Sequence, residues 1–300
     1  MIYLEKFKLL TGDRCREAVA SVQEYETHDK DYPAYLFCKM EFGCIDFEDI
    51  TIFYGGNGSG KTSLLNVISE KLQIYRKNQY IQTEFFKVFL EKCTYQINEI
   101  YGIPKFSKFL ASDDVFEHIL TMRSKNKSLK NNKVKESDFH SVVKNSFYQD
   151  IFPGGVKLDF EGNYKDVHQK LSRFNEARKK TRRQYVRSRA GEMQRQYSNG
   201  ENALLFFEKQ IEEKALYLLD EPENSLSPKF QMELKYMIEN SVRYQNCQFI
   251  IATHSPFMLS LFGAKIYNLD VSPVTVERWH ELENVRIFYD FFKMNKEYFE

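Results

Sequence analysis

The chain has 300 residues, 42% apolar and 15% aromatic, which is enough apolar material for one large core and excludes a wholly disordered chain. Lys+Arg at 43 against Asp+Glu at 42 leaves a formal charge of +1, so no global field steers it to nucleic acid or membrane and any electrostatic partner meets a local patch. Glu5 and Lys6 interrupt what would have to be the apolar part of a signal peptide, and no run approaches the ~20 apolar residues of a membrane span, so the reading is cytoplasmic, without membrane insertion.

Short β-leaning pieces, Ile2 to Leu10 and Leu36 to Phe42, are separated by a charged turn or loop, Glu24 to Asp31. Ile50 to Tyr54 is rich in β-branched and aromatic residues and runs straight into glycines, which predicts a buried strand entering a tight turn. Residues 62 to 72 carry Leu64, Leu65, Ile68 and Leu72 at helical spacing. The middle, Gln73 to Gln196, reads as helical and polar, with one strand signal at Gly155 to Phe160 and an exposed loop expected over the Lys- and Asn-rich Arg123 to Ser137. Ala215 to Leu219 then predicts a strand, Lys229 to Tyr244 a helix with Phe230, Leu234, Met237 and Ile238 on one face, and Gln248 to Thr253 a second strand. Strand, helix and strand in that order imply a parallel α/β sheet. The five cysteines, Cys15, Cys38, Cys44, Cys93 and Cys247, are odd in number and widely spread, and are expected as reduced thiols without a zinc pair.

Residues Gly55-Gly56-Asn57-Gly58-Ser59-Gly60-Lys61-Thr62 fit GxxxxGK[ST] between a predicted strand and a predicted helix. Glycines let successive backbone N–H groups, here through Ser63, wrap the phosphates of ATP, and the helix N-terminus adds partial positive charge. Lys61 would reach the β- and γ-phosphates and the Thr62 hydroxyl would ligate Mg²⁺. Leu216 to Glu221 is an apolar strand ending in two carboxylates, which divides two tasks: Asp220 toward magnesium through water, Glu221 toward the attacking water. Taken alone, that pair equally fits an ordinary acidic strand end before a Pro222 turn. The strand ending at Thr253 delivers His254, placed at the ligand-binding edge of a parallel sheet, where it can touch the γ-phosphate. Tyr197 to Glu201 opens a helix, Asn202 to Ile211, with a polar turn whose Ser198 hydroxyl and free N–H groups suit either a helix cap or a phosphate.

With GGNGSGKT, YSNGE, LLDEP and ATHSP in this order, the sequence resembles the ATP-binding-cassette ATPases. More narrowly it is similar to stand-alone bacterial ATPases of the branch that includes SMC, DNA-repair and overcoming-lysogenization-defect proteins. The resemblance covers nearly the whole chain, through FLASDDVFEHIL, DEPENSLSPKFQ and ATHSPFMLSLFGAKIYNLD. It implies a P-loop α/β nucleotide-binding domain, a mixed sheet with flanking helices, carrying an inserted helical subdomain. The expected division is 1–72, the N-terminal part of the core; 73–196, the inserted mainly helical subdomain; and 197–300, the C-terminal part. By position it gives Lys61 and Thr62 as the Walker A pair, Asp220 and Glu221 as the Walker B aspartate and catalytic glutamate, and His254 as the switch histidine. Ser198 and Gly200 match the signature turn, and Asn224 to Ser227 the loop facing the dimer. The family pattern is a head-to-tail homodimer with two ATP molecules between the subunits. The magnesium-sensing glutamine has no clear counterpart, with Ser112, Asp113 and Asp114 in its neighbourhood, and the adenine-stacking aromatic stays open among Tyr25, Tyr32 and Tyr35.

No sustained heptads lie between Lys61 and Ser198, so the long coiled-coil arm of SMC proteins is not expected. Arg173 to Arg189 carries eight Lys/Arg against Glu176 alone. It reads as a solvated face, a face for an acidic protein partner, or a contact for DNA or RNA. The resemblance suggests an ATP-driven switch acting on a protein partner or nucleic acid, in DNA maintenance or antiviral (phage) defence. A transporter's ATPase subunit and a non-hydrolysing dimerisation module are the alternatives; YSNGENALLFF lacks the glutamine-rich tail usual in transporter signatures, and the Asp220-Glu221 pair speaks against the latter.

Overall fold

The computed structural model describes residues 1–13, 15, 17, 37, 42–77, 84–131, 199–224 and 226–299. The expected Glu24 to Asp31 turn and Gly155 to Phe160 strand lie outside these, as does most of Leu36 to Phe42. Two compact units are present: Met1–Ile119 together with Ser198–Glu300, and Leu120–Tyr197. The first carries every described strand, and within the second the described residues belong to one helix.

The first unit is built on a seven-stranded sheet. Its strands are β3 (Ile50–Tyr54), β4 (Tyr75–Arg76), β6 (Lys108–Ala111), β7 (Leu216–Asp220), β8 (Gln248–Thr253), β9 (Lys265–Asn268) and β10 (Thr275–Glu277). The order is β10-β9-β3-β8-β7-β6-β4, parallel throughout except for β10, which pairs antiparallel on β9. The mixed sheet with flanking helices is the P-loop architecture expected. Every residue of β3, β7 and β8 is buried, which is why these segments read as continuous apolar runs rather than alternating ones: parallel strands are covered on both faces.

Successive side chains divide between those faces. From one face Phe53, Leu216, Leu218, Ile250 and Ala252 meet Leu64, Leu65, Val67, Ile68 and Leu72 of α1 (Lys61–Leu72). A three-stranded antiparallel sheet, β2-β1-β5, made of β1 (Leu4–Lys8), β2 (Cys44–Asp46) and β5 (Thr94–Ile97), joins this layer through Leu4, Phe7 and Ile45. From the other face Ile50, Ile52, Tyr217, Leu219, Phe249 and Ile251 meet Ala203 and Phe207 of α4 (Asn199–Gln210) and Leu234 and Ile238 of α5 (Pro228–Gln245). The expected stripe on α5 is thus partly right: Leu234 and Ile238 are buried, while Phe230 and Met237 pack at its margin.

The middle of the chain departs from expectation. The short strands β4, β5 and β6 and the helix α2 (Glu84–Lys92) all fall within 73–119 and belong to the sheet-bearing unit, so the second unit begins at Leu120 and not at 73. Strands of two to four residues, with β5 largely exposed, are too short to show a period of two. The loop expected from Arg123 is helical through Asn131, within α3 (Ser112–Asn131). Lysine and arginine favour helix; the lack of apolar residues removes a core-facing stripe, not the helix itself. Cys15 is disulfide-bonded, contrary to the expectation of reduced thiols, while Cys44, Cys93 and Cys247 are free; residue spacing does not reveal which thiols folding brings together.

One buried side chain ties the small sheet to the large one. Gln248, fully buried at the start of β8, accepts the N–H groups of Tyr3 (2.8 Å) and Leu4 (2.9 Å) at Oε1 and donates through Nε2 to the carbonyls of Leu4 (2.9 Å) and Glu48 (3.1 Å). Gln248→Leu strands four backbone groups at the junction, each worth about 1–3 kcal/mol when buried without a partner. Denaturant unfolding should register a loss of at least about 4 kcal/mol, whereas replacement of an exposed residue such as Tyr244 should register almost none.

Candidate functional site

The parallel register places five strand exits along one edge. Tyr54 lies beside Thr253 and Asn268, and Asp220 lies beside Ala252 and Ala111. The residues that follow, Gly55, Ser112, Glu221, His254 and Leu269, therefore leave the sheet together, at the edge where open α/β sheets bind ligands.

Residues 55 to 60 form the turn between β3 and α1. Gly58 and Gly60 take φ values of +83° and +91°, a left-handed backbone that glycine adopts without strain. At Gly55 a Cβ would come within 2.7 Å of Ser59 Cβ, so only glycine fits. Gly60 starts α1 by accepting from the Leu64 N–H at 2.8 Å, and the helix ends at Gln73, whose left-handed φ of 54° lets its N–H turn back to Glu70. Gly56, Asn57 and Gly58 are exposed, Ser63 is buried, and the buried Ser59 Oγ has no hydrogen-bond partner among the described residues, a donor left over for a ligand oxygen.

Lys61 is buried with its ammonium 2.7 Å from the Gly55 carbonyl and 2.8 Å from the Gly56 carbonyl, and 3.9 Å from Glu221 Oε1. It lies folded across the mouth of its own loop. Asp270, just past β9, accepts the Gly56 N–H through both carboxylate oxygens at 2.9 Å and so fixes the loop from the far side. The reading of the sequence did not assign this residue; a carboxylate at a strand exit was the available signal.

The Thr62 hydroxyl donates to Asp220 Oδ1 at 2.9 Å, joining α1 to the end of β7. Burial pushes the Asp220 carboxyl up to about 6, against a smaller downward pull from the Thr62 hydroxyl, with the Glu221 charge adding to the rise. A buried carboxylate with too little positive charge around it, beside a hydroxyl, is a hard-oxygen pair that suits Mg²⁺. Among the described residues no group of three or more His, Cys, Asp or Glu could cage a metal ion.

Glu221 sits at φ +45°, a conformation that costs a non-glycine residue about 1–3 kcal/mol. Its N–H donates to the Ala252 carbonyl at 2.9 Å, and Asn224 Nδ2 donates to its Oε2, also at 2.9 Å. The turn after β7 thus re-aims the carboxylate out of the sheet. His254 Nδ1 lies between two carboxylates, 3.8 Å from Glu221 Oε1 and 3.7 Å from Glu223 Oε1, with no hydrogen-bond partner among the described residues. Glu223, missed at the sequence level although it stands in DEPE, is buried and accepts from Thr253 Oγ1 (2.6 Å) and the His254 N–H (3.2 Å). Burial raises its carboxyl above the ordinary range, and the Thr253 hydroxyl opposes that. Asn284 completes the frame by donating to the His254 carbonyl at 2.7 Å.

Other expected residues fall elsewhere. Gly200 opens α4 in a buried position where a Cβ would meet Phe230 Cδ2 at 2.5 Å, so packing alone demands glycine there. Ser198, Ser225, the basic segment Arg173 to Arg189 and the three candidate tyrosines lie outside the described residues. Ser112 and Asp113 follow β6 at the strand-exit edge, while buried Asp114 turns back to accept the Ala111 N–H at 3.0 Å.

A family model described as "ABC transporter" matches residues 43–224, and one described as "AAA ATPase domain" matches residues 192–259. None of the curated proteins compared matches this chain. Among solved structures, the Smc head domain of Pyrococcus furiosus bound to the C-terminal domain of ScpA aligns at 14% identity, covering 97% of this chain and 100% of that one, with a TM-score of 0.41. The SMC head domain from Thermotoga maritima aligns at 12% identity over 92% and 99%, with a TM-score of 0.37.

The buried charge on Asp220 has a measurable consequence. Its folded value, about 6, lies above the ordinary 3.8, so the penalty is absent at low pH, where the carboxyl is protonated folded or unfolded, and reaches full size above about pH 6. Asp220→Asn, which keeps an acceptor for Thr62, should therefore raise the melting temperature by a few degrees at pH 7.5. That gain should shrink as the pH falls from 6 toward 4; a gain of equal size at pH 7.5 and pH 4 would assign it to something other than this charge.

Proposed function

The chain belongs to the ATP-binding-cassette family of ATPases, and on that premise we propose that it binds Mg-ATP at residues 55–63 and hydrolyses it between two copies of itself. The observation that carries the reading is the convergence of Lys61, Thr62, Asp220, Glu221 and His254 on one sheet edge, through contacts of 2.9 to 3.9 Å. The parts suit phosphoryl transfer, in which positioning and charge matter more than covalent chemistry.

In this reading the loop N–H groups hold the phosphates and Lys61 leaves the Gly55 and Gly56 carbonyls for the β- and γ-phosphate oxygens. Thr62 and Asp220 would hold Mg²⁺, which when bound would neutralise the developing charge. Glu221 takes the proton of the attacking water as general base, and Asn224 steadies its other oxygen. His254 contacts the γ-phosphate, its backbone held by Glu223, which accepts its N–H, and by Asn284, which donates to its carbonyl. Glu221 and His254 keep 26% and 45% of their side-chain surface exposed, which supports completion of the site by a second copy. Ser198 and Gly200 of that copy would cover the γ-phosphate, and the closing and opening of the pair would supply the switch.

Lys61→Ala should abolish ATP binding by calorimetry. Glu221→Gln should keep binding and lose turnover by roughly 100- to 10,000-fold, and Ser198→Arg should lower turnover with ATP binding kept. Full turnover in Glu221→Gln would remove that residue from the role, and full turnover in Ser198→Arg would remove the shared site.

The basic segment supports nucleic acid as the object of the switch, in DNA maintenance or phage defence. Eight cations over Arg173 to Arg189 can displace several counterions from DNA. Charge reversal at Arg182, Arg183, Arg187 and Arg189 should weaken DNA binding and flatten its salt dependence in a filter or anisotropy assay. Unchanged binding would leave a protein partner as the object instead.

A further inference from the structure

The nucleotide site leaves one large feature unused. The helix α7 (Glu283–Met294) is fixed at its start: Leu282 and Val285 are buried in the core, the Asn284 side chain donates to the His254 carbonyl, and the Asn284 N–H donates to the Tyr54 hydroxyl at 3.2 Å. Beyond that first turn it is a line of exposed apolar side chains. Ile287, Phe288, Phe291, Phe292 and Met294, with Tyr298 in the short 3-10 turn Lys296–Tyr298, are between 44% and 87% exposed. Positions 287, 291 and 294, with 288 and 292 alongside, share one helical face.

The opposite face is polar and complete in itself. Glu283, Arg286, Asp290 and Lys293 recur at i, i+3, i+7 and i+10; Arg286 pairs with Asp290 at 3.8 Å, and Arg286 and Lys293 lie 4.9 and 5.7 Å from the Tyr289 ring. The aromatic face also has internal order, since Phe292 packs edge-on against both Phe291 (5.4 Å) and Phe299 (5.8 Å). Solvent is therefore served by one side of α7 and avoided by the other.

Magnitude selects the kind of partner. Large side chains of about 150–250 Å² each, exposed to the fractions above, present roughly 800 Å² of mostly apolar surface on this face. Patches on monomers seldom exceed about 300–600 Å², and about 800 Å² per partner is what a stable interface covers. Charge is missing from the stripe itself, so it offers nothing for an acidic or basic partner to match. Pairs of identical chains are the interfaces with the most apolar composition, and a two-fold axis lays one such stripe antiparallel on its copy.

We propose that the aromatic face of α7 and the turn after it, residues 287 to 299, is a two-fold interface with a second copy of this chain, formed without nucleotide. It is independent of the ATP sandwich, and its failure leaves that reading untouched because it is measured with no nucleotide present. The test is light scattering after size exclusion, at micromolar concentration, on wild type, Ile287→Glu/Phe291→Glu, and Phe262→Glu. Phe262 is more exposed than either but lies in the turn after α6 (Pro256–Leu259). Wild type and Phe262→Glu should run as two copies and the double variant as one, a halving of mass with the circular dichroism unchanged. If the double variant loses helix content, Met294→Glu at the far end of the stripe gives the reading, with at least a tenfold weaker self-association. A wild type that runs as one copy, or stripe variants that remain paired as tightly as wild type, would overturn the proposal.

Discussion

The parallel register of β3, β7 and β8 is the constraint on which the rest of this structure depends. It brings Tyr54, Asp220 and Thr253 to one level, so three chain segments far apart in sequence deliver a glycine loop, a carboxylate pair and a histidine to the same edge. Because these strands are buried on both faces, a slip of register by one residue would send each side chain into the opposite core layer and displace the strand exits from one another. The apolar packing against α1 on one side and α4 and α5 on the other thus positions the chemistry as well as stabilising the fold.

At that edge the fold gathers charged, strained and unmet polar groups. Asp220 is held buried with its carboxyl raised to about 6, Glu221 is held at a left-handed φ, and the Lys61 ammonium rests on two carbonyls of its own loop. The buried Ser59 hydroxyl and the His254 Nδ1 atom both lack a partner among the described residues. Under the proposed function a polyanion with a divalent cation would relieve several of these conditions: Lys61 would gain phosphate oxygens, Asp220 positive charge, and the loop N–H groups acceptors. Strain and unmet polar groups of this kind persist where function requires a preorganised site.

Much of this was legible in the sequence because the decisive signals are local. The run of β-branched and aromatic residues from Ile50 into Gly55, the apolar run ending in Asp220 and Glu221, and the strand before His254 each announce their element and its exit within a few residues. Less was legible where the determinant is a distant contact. Asp270 acts on Gly56 and Gln248 on Tyr3 and Leu4 across the whole chain, and neither partner carries a mark of the other. The strands β4 and β6 are set by pairing with longer neighbours and have too few residues to show a period of their own. Composition is also a poor guide at Arg123 to Asn131, where a charged stretch without an apolar stripe is helical because its lysines and arginines favour helix.

All of this converges on the claim that the loop of residues 55 to 62 and the carboxylates after β7 are two halves of one Mg-ATP site. A crystal structure with a non-hydrolysable ATP analogue and Mg²⁺ tests it most directly. The account predicts the triphosphate inside that loop, with Lys61 moved onto phosphate oxygens and the cation between Thr62 and Asp220. Nucleotide bound elsewhere, or a loop that keeps Lys61 on the Gly55 and Gly56 carbonyls beside a bound nucleotide, would contradict it.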